Sequence, residues 1–189
     1  MIAPLTPPAA LNLPVPPACE ATWSAFCLSI INYPTIIDPL WSLARSTPAL
    51  PNGGATCTGC HTATRTTTAG GVTVPVPPDG NLQLDDAQSQ AGAQLPSYTQ
   101  LVTAHDVLSL NATNQLVDSG AQVPGSIGVG NANGSCFFEV ITGTSMGCSV
   151  TGTVNHAGFM TAAELRLLSE WVDIGAQYYN NPFDAPLAN

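Results

Sequence analysis

The sequence predicts a mainly α fold with long irregular loops, gathered around one bound group. Three observations carry that expectation. The first is the pentapeptide Cys57-Thr58-Gly59-Cys60-His61. The second is a strongly patterned final helix opening at Thr161. The third is the alternation of Thr-, Gly- and Pro-rich pieces from Thr62 to Leu95, which reads as loop.

The pentapeptide is the attachment sequence of a c-type haem. Each thiol can add to one vinyl group of the same porphyrin, and the next residue then offers an imidazole nitrogen to the iron. Thr58 and Gly59 are small, so the loop can lie close to the ring. A redox Cys-x-x-Cys pair would open a helix in a βαβ setting, which the flanking sequence does not offer. A structural zinc site needs two more ligands at matching spacing, and the other cysteines form no second Cys-x-x-Cys pair.

The chain has 189 residues, enough for one core, to which a haem adds an apolar centre. Its formal charge is −9, and 8% of residues are charged. Arg45, Arg65 and Arg166 are the only cationic side chains besides histidine, which excludes nucleic acid because nothing could neutralise phosphates. Anionic membrane surfaces are equally disfavoured. No apolar run is long enough to span a bilayer. The low charge density suits an exported protein, periplasmic or extracellular, packed in an assembly. The first residues lack a signal-peptide pattern, and c-type haem is attached outside the cytoplasm, so a leader is expected to lie outside this sequence.

Six cysteines are present, and the haem uses two. Cys19, Cys27, Cys136 and Cys148 are then expected to form two disulfides. Three pairings are open. The local one, Cys19–Cys27 with Cys136–Cys148, is favoured because each pair closes a short loop.

Residues 1–18 form a Pro-rich N-terminal arm or linker, and residues 19–189 form the domain. The arm could lie across a neighbouring copy or strap its own domain. A short helical piece is expected around Trp23 to Leu28. Pro39 can open a helix carrying Leu40, Trp41 and Leu43, with Trp41 packing near the haem. Val72, Val74 and Val76 alternate as a short strand before the turn at Pro77-Pro78-Asp79-Gly80. Leu82 and Leu84 mark another extended piece. Residues 97–110 read as a helix, with Tyr98, Leu101 and Val102 on one face. Residues 111–134 read as loop, with weak glycosylation patterns at Asn111 and Asn133. Residues 135–142 read as a short apolar helix. In the last helix, Thr161 and Glu164 make a capping box, and Met160 and Leu165 a hydrophobic staple. Leu165, Leu168 and Val172 form one face with Trp171 beside it, and Gly175 can end the helix.

The order of segments resembles a known module. Ile30 to Trp41 precedes Cys57–His61, Tyr98–Val102 follows, then Ser135-Cys136-Phe137-Phe138, then Leu167 to Ala176. This is similar to the monohaem cytochrome c domains of planctomycete-type secreted proteins, related to the hydrazine synthase alpha subunit, over roughly residues 29–184 by the placing of these motifs. The resemblance implies a cytochrome c-like fold around one covalently bound haem. It also places the distal iron ligand in the loop before the last helix. Here the sequence departs from the common pattern: that loop has no Met-Pro dipeptide, a long insert precedes Tyr98, and the Cys136–Cys148 pair is added.

His156 stands where the resemblance puts the ligand, with Ala157 and Gly158 giving clearance. Met160 is better explained by the staple. Met146 is the runner-up, then His105, which Asp106 could orient. His61 and His156 are thus the expected iron ligands, with Cys57, Cys60 and Trp41 also against the haem. The expected function is a secreted cytochrome carrying electrons to other redox proteins or to copies of itself. A homo-oligomer or filament through the Pro-rich arm is also open. The alternative is a haem enzyme with an open distal site, acting on peroxide or small nitrogen compounds.

Overall fold

The computed structural model describes residues 31–45, 56–86, 93–144 and 156–179. The Pro-rich arm, the helical piece around Trp23, Met146, Cys19, Cys27 and Cys148 lie outside these residues. Among them the chain forms five short helices and two separate two-stranded antiparallel sheets. The expected mainly α, cytochrome c-like frame is therefore incorrect: the fold is mixed α and β. The helices are α1 (Pro39–Ser42), α2 (Cys57–Cys60), α3 (Pro96–Val102), α4 (Cys136–Thr142) and α5 (Ala162–Asp173). The strands are β1 (Thr66–Ala69), β2 (Val72–Pro75), β3 (His105–Leu110) and β4 (Leu116–Val123).

The reason for the correction is local. Thr66-Thr67-Thr68 and Val72-Thr73-Val74 are β-branched and pair across Gly70-Gly71. Both glycines have positive φ, 58° and 81°, as a two-residue hairpin turn requires. The helix expected over 97–110 stops at Val102, and His105 starts a strand. Residues 116–123, expected as loop, are its partner. Asn111 closes this second hairpin: its side-chain oxygen accepts from the backbone N–H groups of Thr113 and Gln115, each at 2.9 Å. Leu82–Leu84 forms no strand pair.

Elsewhere the elements form as their residues dictate. Pro39 is the first residue of α1, where its missing N–H costs nothing. At α5 the Thr161 hydroxyl accepts from Glu164 N–H at 3.2 Å, and the Glu164 carboxylate accepts from Thr161 N–H at 2.7 Å. The capping box forms as expected, Met160 is buried, and Leu165 packs against the core. Gly175 follows the helix at φ +110°.

The centre of the core is aromatic. Tyr33 lies in a π-type turn (Tyr33–Ile37), fully buried, with ring centres 5.1 Å from Tyr98, 5.4 Å from Trp171 and 6.0 Å from Tyr178. Their polar ends are satisfied internally. Trp41 Nε1–H donates to the Tyr33 hydroxyl at 2.8 Å, Tyr98 O–H to Ala176 carbonyl at 2.9 Å, and Trp171 Nε1–H to Gln177 carbonyl at 3.0 Å. Burial pushes the Tyr33 hydroxyl pKa well up. No helix among the described residues is long and apolar enough to cross a membrane.

Candidate functional site

The Cys57–Cys60 segment is one helical turn. Thr56 caps it, its hydroxyl accepting from Gly59 N–H at 3.1 Å. A residue and its third successor share one side of such a turn, so both thiols face the same way. They are not joined to each other in a disulfide. Burial raises the Cys57 thiol pKa, and the nearby Arg45 charge works against that rise. His61 closes the turn, donating its N–H to Cys57 carbonyl at 3.0 Å.

A second segment clamps His61. Leu84 N–H donates to His61 carbonyl at 2.8 Å, and His61 Nδ1 lies 3.1 Å from Leu82 carbonyl. That carbonyl can only accept, so Nδ1 carries the ring proton and Nε2 keeps its lone pair for a metal. Burial lowers the His61 pKa, the Leu82 carbonyl opposes this, and His156 adds to the lowering. The neutral imidazole, the form that ligates, is therefore favoured. The β1–β2 hairpin leads back to this clamp, anchored by the Arg65–Asp79 ion pair and by Val76 N–H on Arg65 carbonyl at 2.9 Å. Hydrogen bonding to Arg65 holds the Asp79 carboxyl below its ordinary range.

His156 stands opposite. Its ring centre is 6.0 Å from that of His61, with the planes 34° apart. It begins the turn leading to the capping box: Phe159 N–H donates to His156 carbonyl at 3.0 Å. The Phe159 ring meets the imidazole edge to face at 5.5 Å. An imidazole centre lies about 3 Å from a metal it ligates, so two facing imidazoles on one ion stand about 6 Å apart. The pair has that separation, and His61 directly follows the motif cysteine Cys60 in the chain. Among the described residues no group of three or more His, Cys, Asp or Glu is set to hold an ion alone. Two facing imidazoles suit a metal whose other positions are filled by a ring ligand, which is what haem provides. The residues present fit the group.

His105 is on β3, not a helix. Its Nδ1 is 3.3 Å from Thr103 carbonyl and its Nε2 3.0 Å from Asn81 carbonyl; a neutral ring can donate to one of the two, and both nitrogens face the backbone. Asp106 does not orient it and instead accepts from Gln122 at 3.3 Å. Trp41 packs against Phe137 and is bonded to Tyr33, and its helix α1 packs on α2, which carries the motif cysteines. Cys136 is disulfide-bonded, and its expected partner Cys148 lies outside the described residues.

Three features carried no sequence signal. The Leu82 carbonyl is one, because any residue has one. The second is Arg45, whose contacts are remote in sequence. The third is a pair of carboxyls: Ser97 Oγ lies 3.0 Å from Asp38 and 3.1 Å from Asp86. A hydroxyl has one proton to donate, so the second contact calls for a protonated carboxyl. Burial, then the Asp86 charge, pushes Asp38 up to about 7. A cleft of about 360 Å³ lined by Asp38, Thr58, Leu84 and Asp86 opens beside α2.

No family model, no curated protein and no solved structure matches the chain.

Proposed function

We propose that this is a c-type haem protein that carries electrons, exported to the periplasm or beyond. The observation that supports it most is the facing of His61 and His156 at 6.0 Å beside the attachment motif. In this reading Cys57 and Cys60 would hold a haem through thioethers, and His61 and His156 would ligate its iron. A haem held there supplies a one-electron iron couple. The chain's own residues do the rest. Leu82 fixes the His61 tautomer, burial keeps the imidazole neutral, and the two rings leave no open position for a substrate. That last point favours electron transfer over the alternative, an enzyme acting on peroxide or small nitrogen compounds. Export follows from where such haem is attached. The similarity to planctomycete-type secreted cytochromes is one of motif order, carried on a mixed α and β frame. Redox proteins or copies of the same chain are the partners this reading implies.

The test is to express the chain with the c-type haem maturation machinery and weigh it after acid-acetone extraction. The mass should retain one haem, and Cys57→Ala with Cys60→Ala should release it. Loss of all haem from the wild type overturns the reading. In the holoprotein, His156→Ala should convert low-spin iron to high-spin and admit carbon monoxide. Ready carbon monoxide binding by the wild type would instead favour the enzyme.

A further inference from the structure

We propose that Arg45 is the residue that positions His156 opposite His61, so that distal ligation is set by a guanidinium lying between the attachment motif and the distal turn. The inference rests on the haem reading above.

Arg45 spreads over three segments. Its Nη2 donates to Leu40 carbonyl at 2.8 Å, at the end of the Pro39–Ser42 helix. Its Nη1 donates to Phe159 carbonyl at 2.8 Å. The same nitrogen lies 3.0 and 3.1 Å from the two Glu164 oxygens. The pair is inside the protein, with side chains 12% and 6% exposed. Glu164 also accepts from the Thr161 backbone and hydroxyl, at 2.7 and 2.9 Å, so its charge is fully engaged.

The path from Arg45 to His156 is a single residue long. Phe159 carbonyl accepts from Arg45, and Phe159 N–H donates to His156 carbonyl. The far side of the turn is open: Ala157 is exposed, and Gly158, at φ +86°, has nothing within 4 Å of where a Cβ would stand. On its other side Arg45 is tied to the proximal half through Leu40, whose helix packs on the Cys57–Cys60 turn. One rigid fork thus sets the spacing between the first attachment cysteine and the turn that presents His156. A lysine cannot reproduce this, because one ammonium cannot span Leu40, Phe159 and Glu164 in that geometry.

A buried ion pair that only supported the fold would change melting temperature and leave the iron alone. The experiment compares Arg45→Gln, Arg45→Lys and Glu164→Gln in the full, haem-loaded chain. It reads the visible spectrum and carbon monoxide binding to the ferrous form. Glu164→Gln keeps the bonds to Phe159 and Leu40, so it should melt earlier yet stay six-coordinate and low-spin. Arg45→Gln should show a high-spin fraction and bind carbon monoxide about tenfold better or more, the effect of losing one charge-assisted hydrogen bond on the turn. Added imidazole should return it to low spin, and Arg45→Lys should fall between. The proposal is overturned if both Arg45 variants keep the wild-type spectrum and carbon monoxide affinity, or if Glu164→Gln opens the iron as far as Arg45→Gln does. It is also overturned if neither Arg45 variant yields folded, haem-bearing protein while Glu164→Gln does, since the arginine would then serve the fold. A wild type without haem would overturn the haem reading itself, and is seen before any variant is compared.

Discussion

The aromatic centre and the histidine edge hold their side chains by opposite means. Tyr33, Tyr98, Trp171 and Tyr178 pack ring against ring, and their polar ends find partners within the same cluster or the backbone beside it. Each gains from the apolar area it loses to water, and the rings set their own angles. His61 and His156 meet each other, and His156 meets Phe159, but carbonyls, a cap and a guanidinium also place the segments that carry them. The first region is held chiefly by the burial of its rings. The second is accurate only because several weak, directional contacts agree. Stability and function should therefore separate under substitution.

The sharpest way to break that contrast is Trp171→Ala. It should cost about 3–5 kcal/mol, the usual range for a large buried ring. Urea unfolding measures it, and a loss below about 1 kcal/mol would mean the centre is not what holds the fold. Tyr98→Phe is gentler. It keeps the ring and removes only the bond to Ala176, so about 1 kcal/mol should go.

Asp38→Asn probes the border between the regions through pH. The folded pKa of Asp38 is raised, so the native state holds its proton more tightly than the unfolded chain. The stability this gives is full below the unfolded value of about 4. It is lost as pH rises towards about 7. Melting temperature should fall across that window in the wild type, and the fall should be shallower in Asp38→Asn. Equal slopes in both would remove Asp38 as its source. The smallest effect is expected from His105→Ala. Its two carbonyl contacts on an exposed hairpin should be worth about 1 kcal/mol or less, and the visible spectrum of the holoprotein should not change. A spectral change would bring His105 back as a ligand.

The same contrast governs what could be read in advance. The Thr161–Glu164 cap is a local pattern and forms as its residues imply; Cys57 to His61 is a local pattern too, and its segment forms one helical turn. The cap places the turn before α5, and the resemblance, which puts the distal ligand in that turn, made His156 a candidate. The strand at His105 was missed because Tyr98, Leu101 and Val102 carry a helical period right up to it. Nothing in Thr103-Ala104 announces the change, and pairing with residues 116–123 decides it. Asn111-Ala112-Thr113 resembled a modification pattern, while its work in the fold is to close the hairpin. Arg45 and Leu82 act across long sequence separations through groups that carry no local signature. The mixed frame was misjudged for that reason: two-stranded pairings are decided by partners, not by runs.

Every arginine in this chain is answered by one of its own carboxylates: Arg45 by Glu164, Arg65 by Asp79, Arg166 by Glu170. There is no lysine, so twelve acidic side chains less three arginines leave nine negative charges uncompensated. Two copies therefore meet as like-charged bodies. Their repulsion reaches about 30 Å at 0.01 M salt and about 8 Å at 0.15 M. Under the electron-transfer reading proposed above, exchange between copies should speed up as salt is added, whereas exchange with a basic partner should slow. The sign of the ionic-strength dependence would then distinguish the two kinds of partner.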